Sequence, residues 1–247
     1  MTRRNRREPL NLARELDVSP LRVGVLFSGG KDSTFASYIA TQRDSLECLI
    51  TLSPKRLDSY MFHYPNVSWT GLQAGAIRVP HVMRETEGIK EVELKDLKEA
   101  ITTAKTHFGI EGVYTGALAS VYQKSRVDRV CDEIGVKSIS PLWQIDPEIH
   151  LKNLLKEKFD VVITSVSALG LDESWLGRTI DSKVIDELVK LHSKYGLHIG
   201  LEGGEGETFV RDCPIFKNRI EIQESERVWN GDSGYLAITK ARLVPKL

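Results

Sequence analysis

The stretch LRVGVLFSGGKDSTFASYIATQRD, residues 21–44, decides the fold of this 247-residue chain. It opens with an apolar run of strand length and closes with a segment that places Phe35 and Ile39 on one face of a predicted helix. Between them lies SGGKDS, residues 28–33. A glycine-rich turn between a buried strand and a helix is typical of α/β proteins, which bind ligands at the carboxyl edge of the sheet.

The residue types in this turn suit an anion. Gly29 and Gly30 allow a tight turn and a close approach of the backbone to a ligand. The helix that follows presents unpaired N–H groups and the positive end of its dipole. Lys31 adds a positive charge, and the hydroxyls of Ser28 and Ser33 can donate hydrogen bonds to phosphate oxygens. The turn is therefore predicted to bind phosphate.

Asp32 has a different predicted role, because its negative charge disfavours direct contact with phosphate. Two roles are open to it: capping the helix or holding Mg²⁺. The turn is not a Walker P-loop, which requires G-x-x-x-x-G-K-[ST], since Lys31 is followed by Asp32. It is not the G-x-G-x-x-G of dinucleotide-binding proteins either.

Further along the chain, apolar runs of strand length alternate with segments of helical period, which predicts an α/β fold. The last fifty residues change character: a Gly- and Glu-rich segment precedes two predicted antiparallel strands joined at Asn230–Asp232. We therefore expect a basic N-terminal arm over residues 1–20, a Rossmann-like, mainly parallel nucleotide-binding domain over 21–143, and a smaller C-terminal α/β domain over 144–247.

Composition excludes several classes of protein. The chain has 34 Lys and Arg against 34 Asp and Glu, and this zero net charge does not favour stable binding of nucleic acid or an anionic membrane. The three cysteines form no CxxC pair, which argues against a disulfide framework or a zinc site. No window approaches a membrane span. These features predict a cytoplasmic protein.

Six segments together resemble one family. The turn SGGxDS after the first strand is similar to the PP-loop of the ATP pyrophosphatases, and EGGEGETFVRDCPIF, residues 202–216, resembles the diphthine–ammonia ligases, also called diphthamide synthetases. The supporting segments are MFHYPN (61–66), TGAL followed by SVYQKSR (115–126), PLW (141–143) and WLGRTID (175–181). The resemblance spans residues 22–216 and leaves out the arm.

The resemblance implies a reaction. In that family the carboxylate of diphthine, a modified histidine on translation elongation factor 2, attacks the α-phosphorus of ATP, and ammonia then displaces AMP to form the amide. ATP, Mg²⁺ and ammonium are the expected cofactor and co-substrates, and the elongation factor is the expected partner. Positioning and charge neutralisation would dominate catalysis. Whether the protein forms a homodimer is left open.

The predicted site residues fall into three sets. The predicted catalytic residues are Asp32, Glu202 and Glu205, with Asp32 also as metal ligand and one glutamate handling ammonia. The predicted ATP-binding residues are Ser28, Gly29, Gly30, Lys31, Asp32, Ser33, His63 and Gly116. The predicted substrate-binding residues are Arg126, Arg178 and Glu207, the arginines because guanidinium binds oxyanions in a bidentate manner.

Two other functions stay open. A PP-loop enzyme that modifies tRNA would fit the turn, although thiolation calls for paired cysteines and Cys48, Cys131 and Cys213 are widely spaced. A glutamine-hydrolysing synthetase is disfavoured because Thr2, not cysteine, follows Met1. A non-catalytic sensor of ATP or AMP would bind nucleotide without turnover, and the carboxylates Glu202 and Glu205 argue against it.

Overall fold

A computed structural model describes residues 19–54, 66–87 and 92–246. The predicted arm up to residue 18 and His63 lie outside these ranges. The first sheet has five strands in the order β3-β2-β1-β4-β5, all parallel. Its strands are β1 (Arg22–Leu26), β2 (Ser45–Pro54), β3 (His81–Thr86), β4 (Gly112–Tyr114) and β5 (Lys137–Ile139). This strand order is Rossmann-like and confirms the predicted fold class.

Four helices accompany the parallel sheet: α1 (Lys31–Arg43), α2 (Thr70–Ile77), α3 (Val92–Phe108) and α4 (Val121–Ile134). Val23 and Val25 of β1 are fully buried, as expected for a central strand covered on both faces. Gly109, the residue after α3, has φ +63°, a conformation that glycine adopts without strain and that ends the helix.

The second half of the chain forms a smaller sheet in the order β7-β6-β9-β8, with every pair antiparallel. Its strands are β6 (Asp160–Val166), β7 (Gly206–Asp212), β8 (Asn218–Trp229) and β9 (Gly234–Pro245), and its helices are α5 (Pro147–Lys156) and α6 (Ser182–Tyr195). Strands β8 and β9 form the hairpin predicted around Asn230–Asp232. In the described part of the chain, no helix is both long enough and apolar enough to cross a membrane.

The two sheets share a core. Buried side chains of the parallel sheet, such as Val25, and of the antiparallel sheet, such as Ile163 and Phe209, belong to one continuous cluster. The β8–β9 hairpin also reaches the first half, where the Asn66 amide bonds the backbone of Leu236 and Ile238, at 2.9 Å each. The domain division near residue 144 stays a prediction, since no break in the core marks it.

Candidate active site

A cavity of about 790 Å³ lies at the carboxyl ends of β1, β2 and β4. Apolar side chains, including Phe27, Leu52 and Val127, form one part of its wall. Polar and charged residues of the turn after β1 and of the Glu–Gly segment before β7 form the other. An apolar wall with a few convergent polar groups is the usual character of a small-molecule site.

The turn after β1 has the geometry of an anion cradle. Gly29 has φ +80°, and Gly30 is the residue before α1, which begins at Lys31. The hydroxyls of Ser28 and Ser33 lie 3.1 Å apart. Gly30 makes no side-chain cap, and Asp32 lies within the first turn of the helix, so the predicted capping role of Asp32 is wrong. The N–H groups of Asp32 and Ser33 therefore stay available to a ligand.

The turn is hydrogen-bonded to β7, an outer strand of the second sheet, along the edge that faces away from β6. The backbone N–H of Val210 donates to the carbonyl of Gly29 at 3.1 Å, and the N–H of Lys31 donates to Oγ1 of Thr208 at 3.0 Å. The buried Gln73 amide of α2 donates to the carbonyls of both Gly29 and Val210, at 2.9 Å each. The second half of the chain thus fixes the shape of the turn.

Lys31 is the central charge of the site. Its side chain is 3% exposed, and its Nζ lies 2.8 Å from Oδ2 of Asp32 and 3.3 Å from Oε1 of Glu202. Burial alone would lower the pKa of Lys31, but the charges of Asp32 and then Glu202 outweigh it and hold the pKa above its usual range. Lys31 is therefore a fixed cation at neutral pH.

Asp32 is held from the opposite side by a residue of the second half. His150 of α5 is fully buried, and its Nε2 lies 2.8 Å from Oδ1 of Asp32. Phe35 packs edge-on against the His150 ring, with centroids 5.3 Å apart. Burial opposes ionisation of Asp32, yet Lys31 and then His150 keep the pKa of Asp32 well below its usual range. Asp32 is therefore an oriented carboxylate.

Two glutamates near Lys31 have raised pKa values, in contrast to Asp32. Burial, with the negative charge of Asp32 next in size, raises the pKa of Glu202 to about 7, while Lys31 opposes the shift. Burial raises the pKa of Glu207 to about 8, opposed by Lys31 and reinforced by Glu202 and Asp32. Both side chains line the cavity. The site therefore holds two carboxyl groups that exchange protons near neutral pH.

The raised pKa of Glu207 predicts how stability depends on pH. The unfolded chain ionises Glu207 near its ordinary pKa, whereas the folded chain keeps the proton until about pH 8. The free energy of unfolding should therefore fall as pH rises between these values. We expect Glu207→Gln to reduce this fall between about pH 5.5 and about pH 8.5 by on the order of 1–3 kcal/mol, measured by urea unfolding.

The control for this variant is Glu224→Gln, which removes an exposed carboxylate of β8. Its unfolding free energy should show the same pH dependence as that of the unchanged protein. A Glu207→Gln protein whose pH dependence equals that of the control would contradict the assigned protonation of Glu207.

Glu205 does not share the position of Glu202 and Glu207 in the cavity wall. It is not among the cavity-lining residues, and its Oε2 accepts a hydrogen bond of 2.6 Å from the backbone N–H of His198. The carbonyl of Glu205 also accepts a hydrogen bond from the backbone N–H of Ser167. The carboxylate of Glu205 therefore tethers the segment that precedes β7.

The other predicted residues divide between the cavity and the surface. Gly116 lines the cavity, and a Cβ on it would lie 2.7 Å from the backbone of Asp32 and Ser33, so glycine is required there by packing against α1. Arg126 stacks on the ring of the cavity-lining Tyr122, 3.4 Å from its centroid, without lining the cavity itself. Arg178 is held outside it by a bidentate ion pair with Glu187.

Four residues of the site were missed by the sequence analysis: Gln73, His150, His198 and Thr208. Thr208 lies within the segment 202–216 and His198 lies four residues before it, so proximity to that motif was a usable signal. Gln73 and His150 stand in ordinary helical segments with no local signal. Only the packing of α2 and α5 against the turn brings them to the site.

Two family models and several curated proteins match this chain. The diphthamide synthase N-terminal domain model matches residues 21–138, and the C-terminal domain model matches residues 146–244. The mouse protein named diphthine–ammonia ligase is 33% identical over 243 residues, covering 90% of this chain and 91% of its own. The human protein of the same name is 32% identical over 244 residues, covering 91% of each chain.

A solved structure from Methanocaldococcus jannaschii, described as a predicted subunit of tRNA methyltransferase, has a TM-score of 0.43 and 16% identity to this chain. It covers 78% of this chain and 98% of its own. The assignment of family rests on the sequence relatives and the two matched domains. On these matches, which include the turn after β1 and the Glu–Gly segment, the chain belongs to the diphthamide synthase family.

Proposed function

We propose that this protein is an ATP-dependent diphthine–ammonia ligase acting on translation elongation factor 2. A carboxylate oxygen of diphthine attacks the α-phosphorus of ATP, pyrophosphate leaves, and an acyl-adenylate forms. Ammonia then attacks the acyl carbon, AMP leaves, and the amide of diphthamide remains. Family membership supports the reaction, and the cavity supports the use of ATP. The site would be reached in the cytoplasm, where the elongation factor works.

The observation that carries this proposal is the arrangement around Lys31. A buried cation lies at the N-terminus of α1, inside a turn of backbone N–H and hydroxyl donors, and faces a cavity large enough for a nucleotide. The apolar wall at Phe27, Leu52 and Val127 suits a base, and the turn suits phosphates. Gly29, Gly30 and the two serines would then bind ATP as the sequence predicts.

Ammonium must lose a proton before it can attack. Glu202 and Glu207 line the cavity, and burial raises the pKa of both groups into the neutral range. A carboxylate with a pKa near the working pH is an effective general base. We assign proton removal to this pair. Glu205, predicted as catalytic from the sequence, would act through the segment that it tethers.

The donor set fits Mg²⁺ as a companion of ATP. Among the described residues, no cluster of three or more His, Cys, Asp or Glu side chains could hold a metal alone. Mg²⁺ at phosphate sites needs only one or two carboxylates, since phosphates and water supply its other ligands. Asp32, an oriented carboxylate beside Lys31, would hold it. Bound there, the ion would neutralise phosphate charge.

The two arginines are assigned separate roles. We assign Arg126, which stacks on the cavity-lining Tyr122, to binding of the diphthine carboxylate. Arg178 has its guanidinium engaged by Glu187, so we assign it to the support of α6 against the segment before it. His63 stays a predicted ATP contact outside the described residues.

Product analysis tests the proposal. The protein is incubated with ATP, ammonium and diphthine-bearing elongation factor 2, and nucleotides and the mass of the factor are measured. We expect AMP and pyrophosphate only when the factor is present, with the mass change of OH replaced by NH₂. Asp32→Ala should abolish both, whereas Asp232→Ala, which removes an exposed carboxylate of the β8–β9 turn, should not.

Other outcomes would replace the proposal. AMP formed with tRNA instead of the factor would assign the enzyme to RNA modification, although the three cysteines are buried and burial raises the pKa of each thiol to about 12. Tight ATP binding without turnover on either substrate would make the protein a nucleotide sensor.

A further inference from the structure

The ring of His198 has a chemically defined orientation in the cavity. His198 lies between α6 and β7, and its side chain is one of the cavity-lining groups beside Lys31, Asp32 and Glu202. The backbone N–H groups of Gly200 and Glu202 both donate to its Nδ1, at 3.2 and 3.4 Å. A nitrogen that accepts hydrogen bonds carries a lone pair, so the proton of the neutral ring is on Nε2.

The Nε2 edge is left for a ligand. Because Nδ1 is turned toward the backbone at Gly200 and Glu202, Nε2 is on the opposite side of the ring. Within the described ranges, no protein group accepts a hydrogen bond from this nitrogen, and the ring is half-buried in the cavity wall. Among the described residues, the N–H of Nε2 is therefore a hydrogen-bond donor without an acceptor.

The surroundings keep this donor neutral and fixed. Burial, and then the charge of Lys31, lower the pKa of His198 below its usual range. The Glu205 carboxylate holds the backbone N–H of His198 at 2.6 Å, and the carbonyl of His198 accepts from Leu201 at 2.8 Å. The imidazole is thus anchored at its backbone and at Nδ1, with only Nε2 unconstrained.

We propose that His198 is a catalytic residue that donates a hydrogen bond from Nε2 to an anionic oxygen of the reacting acyl-phosphate group. The acceptor is either a phosphoryl oxygen during adenylation or the acyl oxygen during attack by ammonia. No proton is transferred, so His198 complements Lys31, which supplies full charge, and Glu202 and Glu207, which exchange protons. This inference rests on the proposed ligase reaction and adds a residue to it.

Two substitutions separate donation from support of the loop. In His198→Asn, the side-chain oxygen can take the place of Nδ1 and accept from Gly200 and Glu202, but no donor reaches the position of Nε2. In His198→Gln, the amide nitrogen reaches the position of Nε2, but the acceptor at Nδ1 is lost. The matched control is His107→Gln, which changes an exposed histidine of α3.

If Nε2 is the catalytic donor, His198→Asn should lower kcat for AMP formation by about tenfold to a hundredfold, the effect of one hydrogen bond to a charged group. The Kd for ATP should change by less than about threefold, since the interaction strengthens only in the transition state. His198→Gln should keep more activity than His198→Asn, and His107→Gln should match the unchanged protein. The opposite ranking of Asn and Gln would assign His198 to loop support alone and overturn the inference.

Single-turnover measurements distinguish the two acceptors. Pyrophosphate release without ammonium reports adenylation, and amide formation from the accumulated acyl-adenylate reports the second step. Slowing of only one step by His198→Asn identifies the acceptor, and slowing of neither overturns the inference while leaving the ligase function intact.

A second readout does not depend on turnover. In ¹⁵N-histidine-labelled protein, the His198 signal is the one that disappears in His198→Asn. We expect it to report the neutral ring protonated on Nε2 at about pH 8. Protonation on Nδ1 would overturn the proposal even if the ligase reaction is confirmed, and the expected tautomer would persist even if the elongation factor is not the substrate.

Discussion

Gly29→Ala is expected to disrupt the turn after β1, which we propose binds phosphate, and to abolish AMP formation. Gly29 has φ +80°, and a Cβ there would lie 2.2 Å from Oε1 of Gln73. Gln73 is fully buried and cannot move without breaking its hydrogen bonds to the carbonyls of Gly29 and Val210. We expect a loss of about 2–4 kcal/mol in unfolding free energy and at least about a hundredfold lower AMP formation.

Gly231→Ala is the matched control. Gly231 also has positive φ, at +92°, but nothing lies within 4 Å of its added Cβ, and it belongs to the β8–β9 turn far along the chain. It should lose about 1–2 kcal/mol of stability from backbone strain and keep full activity. Urea unfolding and AMP assays compare the two variants. Equal stability losses with retained activity in Gly29→Ala would show that the close packing against Gln73 is unimportant.

Lys31→Met is expected to have the largest effect on ATP binding and turnover. The substitution keeps an unbranched apolar chain in a site where Lys31 is 3% exposed, but removes the charge that lies between Asp32 and Glu202. ATP phosphates would then meet carboxylates without compensation. We expect AMP formation to fall by at least about a thousandfold, with weaker ATP binding in calorimetry.

The same substitution should make stability more sensitive to pH. Lys31 lowers the pKa of Glu202 and Glu207, so its removal should raise both values further. The folded protein would then ionise these partly buried groups at greater cost than the unfolded chain, and stability should fall more steeply as pH rises through the neutral range. The destabilisation measured at about pH 8.5 should exceed that at about pH 6.

Lys240→Met provides the comparison for this variant. Lys240 pairs with Glu224 at 3.0 Å, but both side chains are more than half exposed, at 59% and 62%. A solvated pair contributes little, so we expect a stability change within about 0.5 kcal/mol and unchanged turnover. If Lys31→Met behaves like Lys240→Met in ATP binding, the turn is not the phosphate site.

Most of the residues predicted from the two motifs lie together in the cavity. Ser28 to Ser33, Gly116, Glu202 and Glu207 all line the cavity except Gly29, whose carbonyl is instead bound by Gln73. Glu205 was predicted because it lies in the acidic segment. Successive side chains point to different sides where the chain enters β7, and the Glu205 carboxylate accepts a hydrogen bond from the backbone of His198 instead of lining the cavity. Arg178 was chosen by residue type alone, and its charge is taken up by Glu187.

The sequence by itself determined the α/β fold, the glycine-rich turn after β1 and the family, because these depend on local patterns: strand and helix periods, glycine at the turn, and contiguous motifs. Only the tertiary structure decided which side chains complete the site. Gln73 of α2 and His150 of α5 reach the turn through contacts that span 44 and 118 residues, and His198 lines the cavity from the segment before β7. Such contacts, and the raised pKa values of Glu202 and Glu207, arise from the packing of two sheets around one buried charge cluster, which leaves no signal in neighbouring residues.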